Sequence, residues 1–258
     1  MDLVARGKSY LIAKAWAPTK TAYLRRVATR PVTIDRGRSM VSFTFDDVPR
    51  SVLDNAAPVL DEHGVKGTFY VALGMPNSNG EFLDEEQVRS LSERGHHIGC
   101  HTFTHYSLRK GTAEGLYEDA LAGKRALEPL VGGSVEHFAF PYGAVSRRAK
   151  TLLRDAFATM RTSAPGINVG RVDLTYLRAE NLYSRGPGLD LDRVRRRVQS
   201  IGRRGGWLIF FTHGVGNDPG PFGTSNEDFR RTVEIVMESE TPILPVPEAL
   251  HRLREPAP

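Results

Sequence analysis

The stretch VSFTFDD, residues 41–47, ends a strand-like run in two adjacent aspartates. Val41, Ser42, Phe43, Thr44 and Phe45 alternate and are rich in β-formers, so they read as a buried strand that delivers Asp46 and Asp47 to its end. Neighbouring carboxylates repel and β-structure disfavours them, so something must offset the cost. A nearby cation would do so. A second strand-like run, HHIGC, leads into HTFTH and presents His101 and His105. A spacing of four puts both imidazoles on one face if the segment turns helical after the strand, and two such imidazoles can share a divalent ion. One added carboxylate completes a ligand set with positions left for water and substrate. One aspartate would then bind the ion and the other would stay free as a general base. A third run, GWLIFF, ends in Thr212 and His213, an imidazole able to carry a proton near neutral pH and give it to a leaving group. A fourth, HFAF, runs into Pro141, Tyr142 and Gly143.

Bringing these four strand ends together requires an architecture that puts strand C-termini on one rim. From residue 41 onward helical and strand-like stretches alternate. SVLDNAAPVLDEHG is helical and stops at Gly64, while Asp84 caps the helix DEEQVRSLSERG. TYLRAENL and PILPV read as further strands, about eight in all. Alternation implies parallel pairing through right-handed crossovers, and eight strands favour a barrel-like (β/α) arrangement over an open sheet. Ligands bind such barrels at the strand C-terminal ends. With no composition break after residue 41, the chain divides into a basic N-terminal extension, 1–38, and one domain, 39–254.

The 258 residues are 40% hydrophobic and 25% charged, as in an ordinary globular protein, and the net charge of +5 favours anionic partners without deciding the chemistry. The single cysteine, Cys100, excludes an internal disulfide. No run approaches the ~18 apolar residues of a membrane span, and MDLVARGKSYLIAKAWAPTK has no continuous apolar core of a secretory signal. The expectation is a cytoplasmic protein. The extension intersperses Leu3, Tyr10, Leu11, Ile12 and Trp16 with Arg6, Lys8, Lys14 and Lys20. It reads as a helix packed on the domain or as a peripheral membrane contact through residues 1–30, at the inner face of the cell membrane.

In type and order, the TFDD, HTFTH, FAFPYG and FFTH boxes resemble those of the polysaccharide deacetylases of the NodB-homology type, carbohydrate esterase family four, over roughly residues 40–250. The resemblance implies a distorted (β/α) barrel. It implies Asp46 as catalytic base, Asp47, His101 and His105 as metal ligands, Tyr142 as donor of a backbone N–H to the oxyanion, and His213 as general acid. Zn²⁺ is the expected ion, although this ligand set accepts several first-row metals. The implied reaction removes N-acetyl groups from N-acetylhexosamine units of a glycan: chitin-like, peptidoglycan or exopolysaccharide. The expected substrate is a lipid-linked exopolysaccharide precursor of the biofilm or holdfast type. The alternatives are a deformylase or other amidohydrolase on a non-polymeric amide, and a glycan-binding module without catalysis.

Two departures stand out. Many members carry arginine in the third box, where this chain has Ala139. Arg178, in TYLRAENL, is the expected replacement to hold the base, unless it pairs with Glu180. The family's fourth box, an Asp and Trp pair, has no clear match, and Asp173 is the nearest residue.

Other residues read as structural. Cys100 points to the strand face opposite His101 and suits the core. His96 and His97 open a strand and need no role. The arginines at 193, 195, 196, 197, 203 and 204 surround a buried stripe of Leu191, Val194, Val198 and Ile201 and read as a solvated face. Nucleic-acid binding is not expected there, for want of interleaved aromatics. The Gly/Pro-rich loop 216–226 reads either as a surface loop or as the wall of a sugar groove, with Phe222 stacking on a ring.

Overall fold

The computed structural model describes Leu24 and residues 27–77, 79–184, 186 and 188–255. Most of the extension, including every residue named in it above, lies outside the described residues. The strands are β1 (Pro31–Ile34), β2 (Ser39–Asp46), β3 (Thr68–Val71), β4 (His97–Cys100), β5 (His137–Ala139), β6 (Thr159–Arg161), β7 (Gly170–Asp173), β8 (Glu180–Asn181) and β9 (Gly206–Thr212). The helices are α1 (Ala57–Glu62), α2 (Glu85–Glu93), α3 (Ala113–Val131), α4 (Arg147–Leu153), α5 (Leu191–Arg204), α6 (Asn226–Glu238) and α7 (Val246–Arg254).

Seven strands pair in parallel in the order β6-β5-β4-β3-β2-β9-β8 and curl into a distorted half-barrel. The edges nearly meet through residues 174–179: the N–H of Leu177 donates to Met160 O at 2.9 Å and the N–H of Thr162 to Leu177 O at 2.8 Å, before the chain enters β8. The strand expected over TYLRAENL is therefore an irregular seam, regular only at Glu180–Asn181. PILPV makes a single bridge, Ile243 to Val41, and the residues after it form α7, which the sequence reading missed. Pro245 and Pro247 disguise that start, although proline is well tolerated in a first helical turn.

Strand alternation sorts the core into two. Val41, Phe43, Phe45, Phe69, Ile98, Cys100, Phe138 and Phe210 face outward under the helices. Met40, Trp207, Ile209 and Phe211 face inward and meet Val246, Ala249, Leu250 and Leu253 of α7, which closes the strand N-terminal end. Asp46, His101 and Arg161 belong by parity to the inward set. Gly99 is required beneath them, since a Cβ there would lie 2.5 Å from the Tyr70 ring that fills the barrel interior.

Residues 29–34, assigned to the extension by the sequence reading, are bonded into the body. β1 pairs antiparallel with β7. Asp173 accepts the N–H groups of Arg30 at 3.0 Å and Thr29 at 3.3 Å, and it also accepts from the buried ammonium of Lys150 and from the N–H and hydroxyl of Thr175. Asp173 thus anchors this segment and is not part of the rim, which corrects its assignment to the missing fourth box.

Candidate active site

Four strands deliver the expected residues to one rim. Asp46 is the last residue of β2, His101 follows β4, Tyr142 lies in the turn after β5, and His213 follows β9. Asp47 Oδ1 is 3.4 Å from His101 Nε2 and 3.1 Å from His105 Nε2, and Asp47 Oδ2 is 3.7 Å from His213 Nε2. His101 and His105 are not brought together by a helix, as expected, but by an irregular loop. Its left-handed residues, Thr102 (φ 66°) and His105 (φ 57°), turn the second imidazole back toward the first. Asp119 of α3 holds the loop, accepting from the N–H groups of Phe103 and Thr104 at 3.1 and 2.9 Å and from Thr104 Oγ1 at 3.0 Å.

Backbone strain concentrates here. Of the six described non-glycine residues with positive φ, five are Asp47, Val48, Thr102, His105 and Tyr142. Such conformations cost of order 1–3 kcal/mol each and persist where the surroundings over-determine them.

The donor set fits a divalent ion. The ligand atoms of Asp47, His101 and His105 lie within 4.8 Å of one another. His101 Nδ1 donates to the Ala139 carbonyl at 2.8 Å, which orients the ring and leaves Nε2 for coordination. Burial pushes the His101 pKa down to about 3, so the imidazole is neutral and its lone pair available. Asp47 Oδ1 is buried with no hydrogen-bond partner among the described residues. Burial, followed by the opposing pull of His213 and the repulsion of Asp46, leaves the Asp47 carboxyl raised to about 6. A buried carboxylate oxygen facing two neutral imidazole nitrogens is the pattern that an ion completes.

Asp46 is held differently. Its Oδ1 pairs with Nη2 of Arg161, the last residue of β6. Burial alone would raise the Asp46 pKa, but Arg161, then His101 and His213, outweigh it and bring it below 3.8. Arg161 is 1% exposed and its guanidinium carbon sits 5.2 and 4.9 Å from the ring centroids of Tyr70 and Phe211. Arg178 does not take this place. Its Nε donates to the Pro165 carbonyl at 2.8 Å and its backbone is tied to Asn168, so the side chain lies along the 165–168 turn. The neighbours Leu177 and Ala179 take the inward parity at this seam. Glu180 instead meets Arg193 and Arg197, two of the arginines expected on a solvated face. Arg161 was legible by the rule that found the other residues, since FATMR also ends in a charged side chain at a strand terminus.

His213 Nδ1 lies 3.3 Å from the carbonyl of Phe222, which also accepts the His213 N–H at 3.2 Å. Among the described residues no carboxylate backs the Nδ1 side of this imidazole; the Gly/Pro-rich loop does, through main chain. The Tyr183 and Phe222 rings flank His213 at 5.9 and 5.7 Å. The same loop walls a groove of about 480 Å³ that reaches Asp47 and His213 and is bordered by Phe82, Pro219 and Phe222. Tyr142 has a left-handed φ of 59°, and its ring leans on His105 at 4.5 Å. Cys100 is buried in the outward core with its pKa pushed up to about 12 by burial, which leaves the thiol inert.

Residues 33–160 match the family model for polysaccharide deacetylase. The chain thus carries a polysaccharide deacetylase domain of the NodB-homology, carbohydrate esterase family four type. It is 34% identical over 117 residues to a chitooligosaccharide deacetylase of Azorhizobium caulinodans, covering 44% of this chain and 52% of that protein. It is 31% identical over 109 residues to the peptidoglycan-N-acetylglucosamine deacetylase PgdA of Listeria monocytogenes, covering 42% of this chain and 22% of that one. The chain thus spans about half or less of these relatives. The fold is shared with the crystallised Xyl-CE4 domain of a multidomain xylanase from the hindgut metagenome of Trinervitermes trinervoides, with a TM-score of 0.53, 18% identity, and 84% of this chain and 91% of that one covered. The matched region ends one residue before Arg161.

Proposed function

We propose that this chain hydrolyses the N-acetyl amide of N-acetylhexosamine units in a poly- or oligosaccharide. One observation carries the reading: a buried, arginine-held carboxylate, Asp46, beside a two-histidine, one-carboxylate ligand set, with His213 across from both. The relatives named above, which deacetylate chitooligosaccharide and peptidoglycan N-acetylglucosamine by their names, support the substrate class.

Asp47, His101 and His105 would hold the ion, Zn²⁺ in this reading, which when bound polarises the acetyl carbonyl and acidifies water at the site. Asp46, kept ionised by Arg161, takes the proton of the attacking water. The backbone N–H of Tyr142 donates to the oxygen of the former carbonyl as it gains charge, a contribution typically worth about 3–4 kcal/mol. His213 gives its Nε2 proton to the nitrogen as the C–N bond breaks, and the Phe222 carbonyl holds the ring in that orientation. Acetate and a free amino sugar result.

The groove wall of Phe222, 48% exposed, supports a polymeric or oligomeric substrate, with the exposed part of the ring offering a surface on which a sugar stacks. The finer substrate in this reading is an exopolysaccharide precursor, lipid-linked at the inner face of the cell membrane, with residues 1–30 contacting the bilayer. The test is acetate release across chitin-like and β-1,6-linked oligomers, set against formate release from formamido-sugars. Acetate release lost in Asp46→Asn supports the reading; formate release alone, or no release of either, overturns it.

A further inference from the structure

The positive charge of this chain is concentrated in two segments. Helix α5 carries six arginines against one aspartate, a formal +5 equal to the net charge of the whole chain. Residues 1–38 hold nine Lys and Arg against two aspartates, +7, so the rest sums to −7. The described end of the second segment meets the helix. The N–H of Gly206 donates to Arg38 O at 2.6 Å and Ser39 Oγ to Ile201 O at 2.7 Å, so the turn at residues 35–38 seats against the C-terminal end of α5. A Cβ at Gly205 would lie 2.7 Å from Asp35 O.

On the side of α5 away from its buried Val194, Val198 and Ile201, five arginines (193, 196, 197, 203 and 204) line a shallow concavity of about 450 Å³. Arg193 and Arg197 are committed to Glu180, and Arg196 is 3.5 Å from Asp190. Arg203, Arg204 and Arg36 are exposed and have no carboxylate partner among the described residues. The groove at the rim is the reverse: among the described residues it is bordered by Asp47, Glu81 and Asp218 and by no lysine or arginine. Arg204 precedes β9 and His213 follows it, so the basic end and the rim are separated by a seven-residue strand, roughly 23 Å.

We propose that the exposed arginine face of α5, together with Arg36, is a docking surface for an anionic lipid bilayer. Guanidinium groups bind phosphate bidentately, and an unneutralised cluster of them is attracted to an anionic membrane surface. Nucleic acid is disfavoured because no aromatic side chain among the described residues lines the concavity to stack a base. Docked this way, the protein keeps its acidic groove clear of the bilayer. The inference stands apart from the deacetylase reading and from residues 1–30.

The test is sedimentation of the full chain with phosphatidylcholine vesicles, alone or mixed with an equal amount of phosphatidylglycerol. The chain should sediment only with the mixed vesicles and be released in about 0.5 M salt. The triple variant Arg36→Glu/Arg203→Glu/Arg204→Glu should bind them at least about tenfold more weakly while keeping its melting temperature and its activity on soluble oligomers. No binding by the unaltered chain, equal binding by the triple variant, or arginine-dependent binding of a nucleic-acid duplex in place of vesicles would each overturn the inference.

Discussion

Ala139 and Arg161 lie opposite each other in the parallel register of β5 and β6, and the guanidinium that reaches Asp46 comes from the second of them. The arginine that many family members carry at the first position is thus supplied one strand over, at the same height in the barrel. Removing one partner of a buried ion pair typically costs about 3–5 kcal/mol, so Arg161→Leu should lose both stability and turnover. The informative variant is the double one. Arg161→Leu with Ala139→Arg should recover stability and part of kcat, read by thermal denaturation and acetate release. A double variant no better than Arg161→Leu would show that the two positions are not equivalent.

Arg178 is held on the Pro165 carbonyl and away from Asp46. Arg178→Ala should therefore keep kcat within about threefold, a barrier change under 1 kcal/mol. A loss of two orders of magnitude would return Arg178 to the site.

The ligand set of Asp47, His101 and His105 should couple metal to stability as well as to activity. Chelation should abolish acetate release, and Zn²⁺ should restore it. At about a hundredfold excess over its Kd, the ion should stabilise the fold by about 2.7 kcal/mol, visible as a rise in Tm. Asp47→Asn should lose both effects; if it kept the Tm shift, the ion would be bound elsewhere.

Phe222 contributes its carbonyl to His213 and its ring to the groove. Phe222→Ala removes only the ring. KM for oligomers should rise roughly tenfold, the equivalent of about 1.4 kcal/mol, with kcat little changed. A fall in kcat at constant KM would mean that the ring acts through His213 and not on the sugar.

His97 and His137 meet edge to face at 4.9 Å inside the barrel, and burial lowers their pKa values to about 4 and about 3. Both are neutral in the folded state and become protonated in the unfolded chain below about pH 6.5. The unfolded state then binds more protons, so stability falls as pH drops from 6.5 toward 4, by about 1.4 kcal/mol per pH unit for each histidine. His97 Nε2 has no hydrogen-bond partner among the described residues, so His97→Phe strands nothing. It should flatten the acid slope of stability by one proton while changing stability at pH 7 little; an unchanged slope would show that His97 does not titrate on unfolding.

The chemistry of the rim was legible because it is written in short local signals. Asp46, Asp47, His101, His105 and His213 each follow a strand-like run, and parallel βα order sends all such ends to one side. The βα rhythm also foretold the barrel, because hydrophobic periodicity records which face each element buries. Helix α7 escaped because its prolines mimic a loop, and β1 and β7 because each pairs across more than a hundred residues with little periodicity of its own.

Which arginine holds Asp46 was decided by the fold alone. Arg161 and Arg178 both sit in plausible strands; only the inward parity of β6 and its place beside β5 aim the first at the carboxylate, while the seam between β6 and β8 turns the second outward. Likewise the left-handed turns at Thr102 and His105, Asp119 beneath them, and the Phe222 carbonyl behind His213 are contacts between distant segments. Local sequence sets residue type and periodicity. Register, parity and long-range hydrogen bonds exist only once the chain has closed on itself.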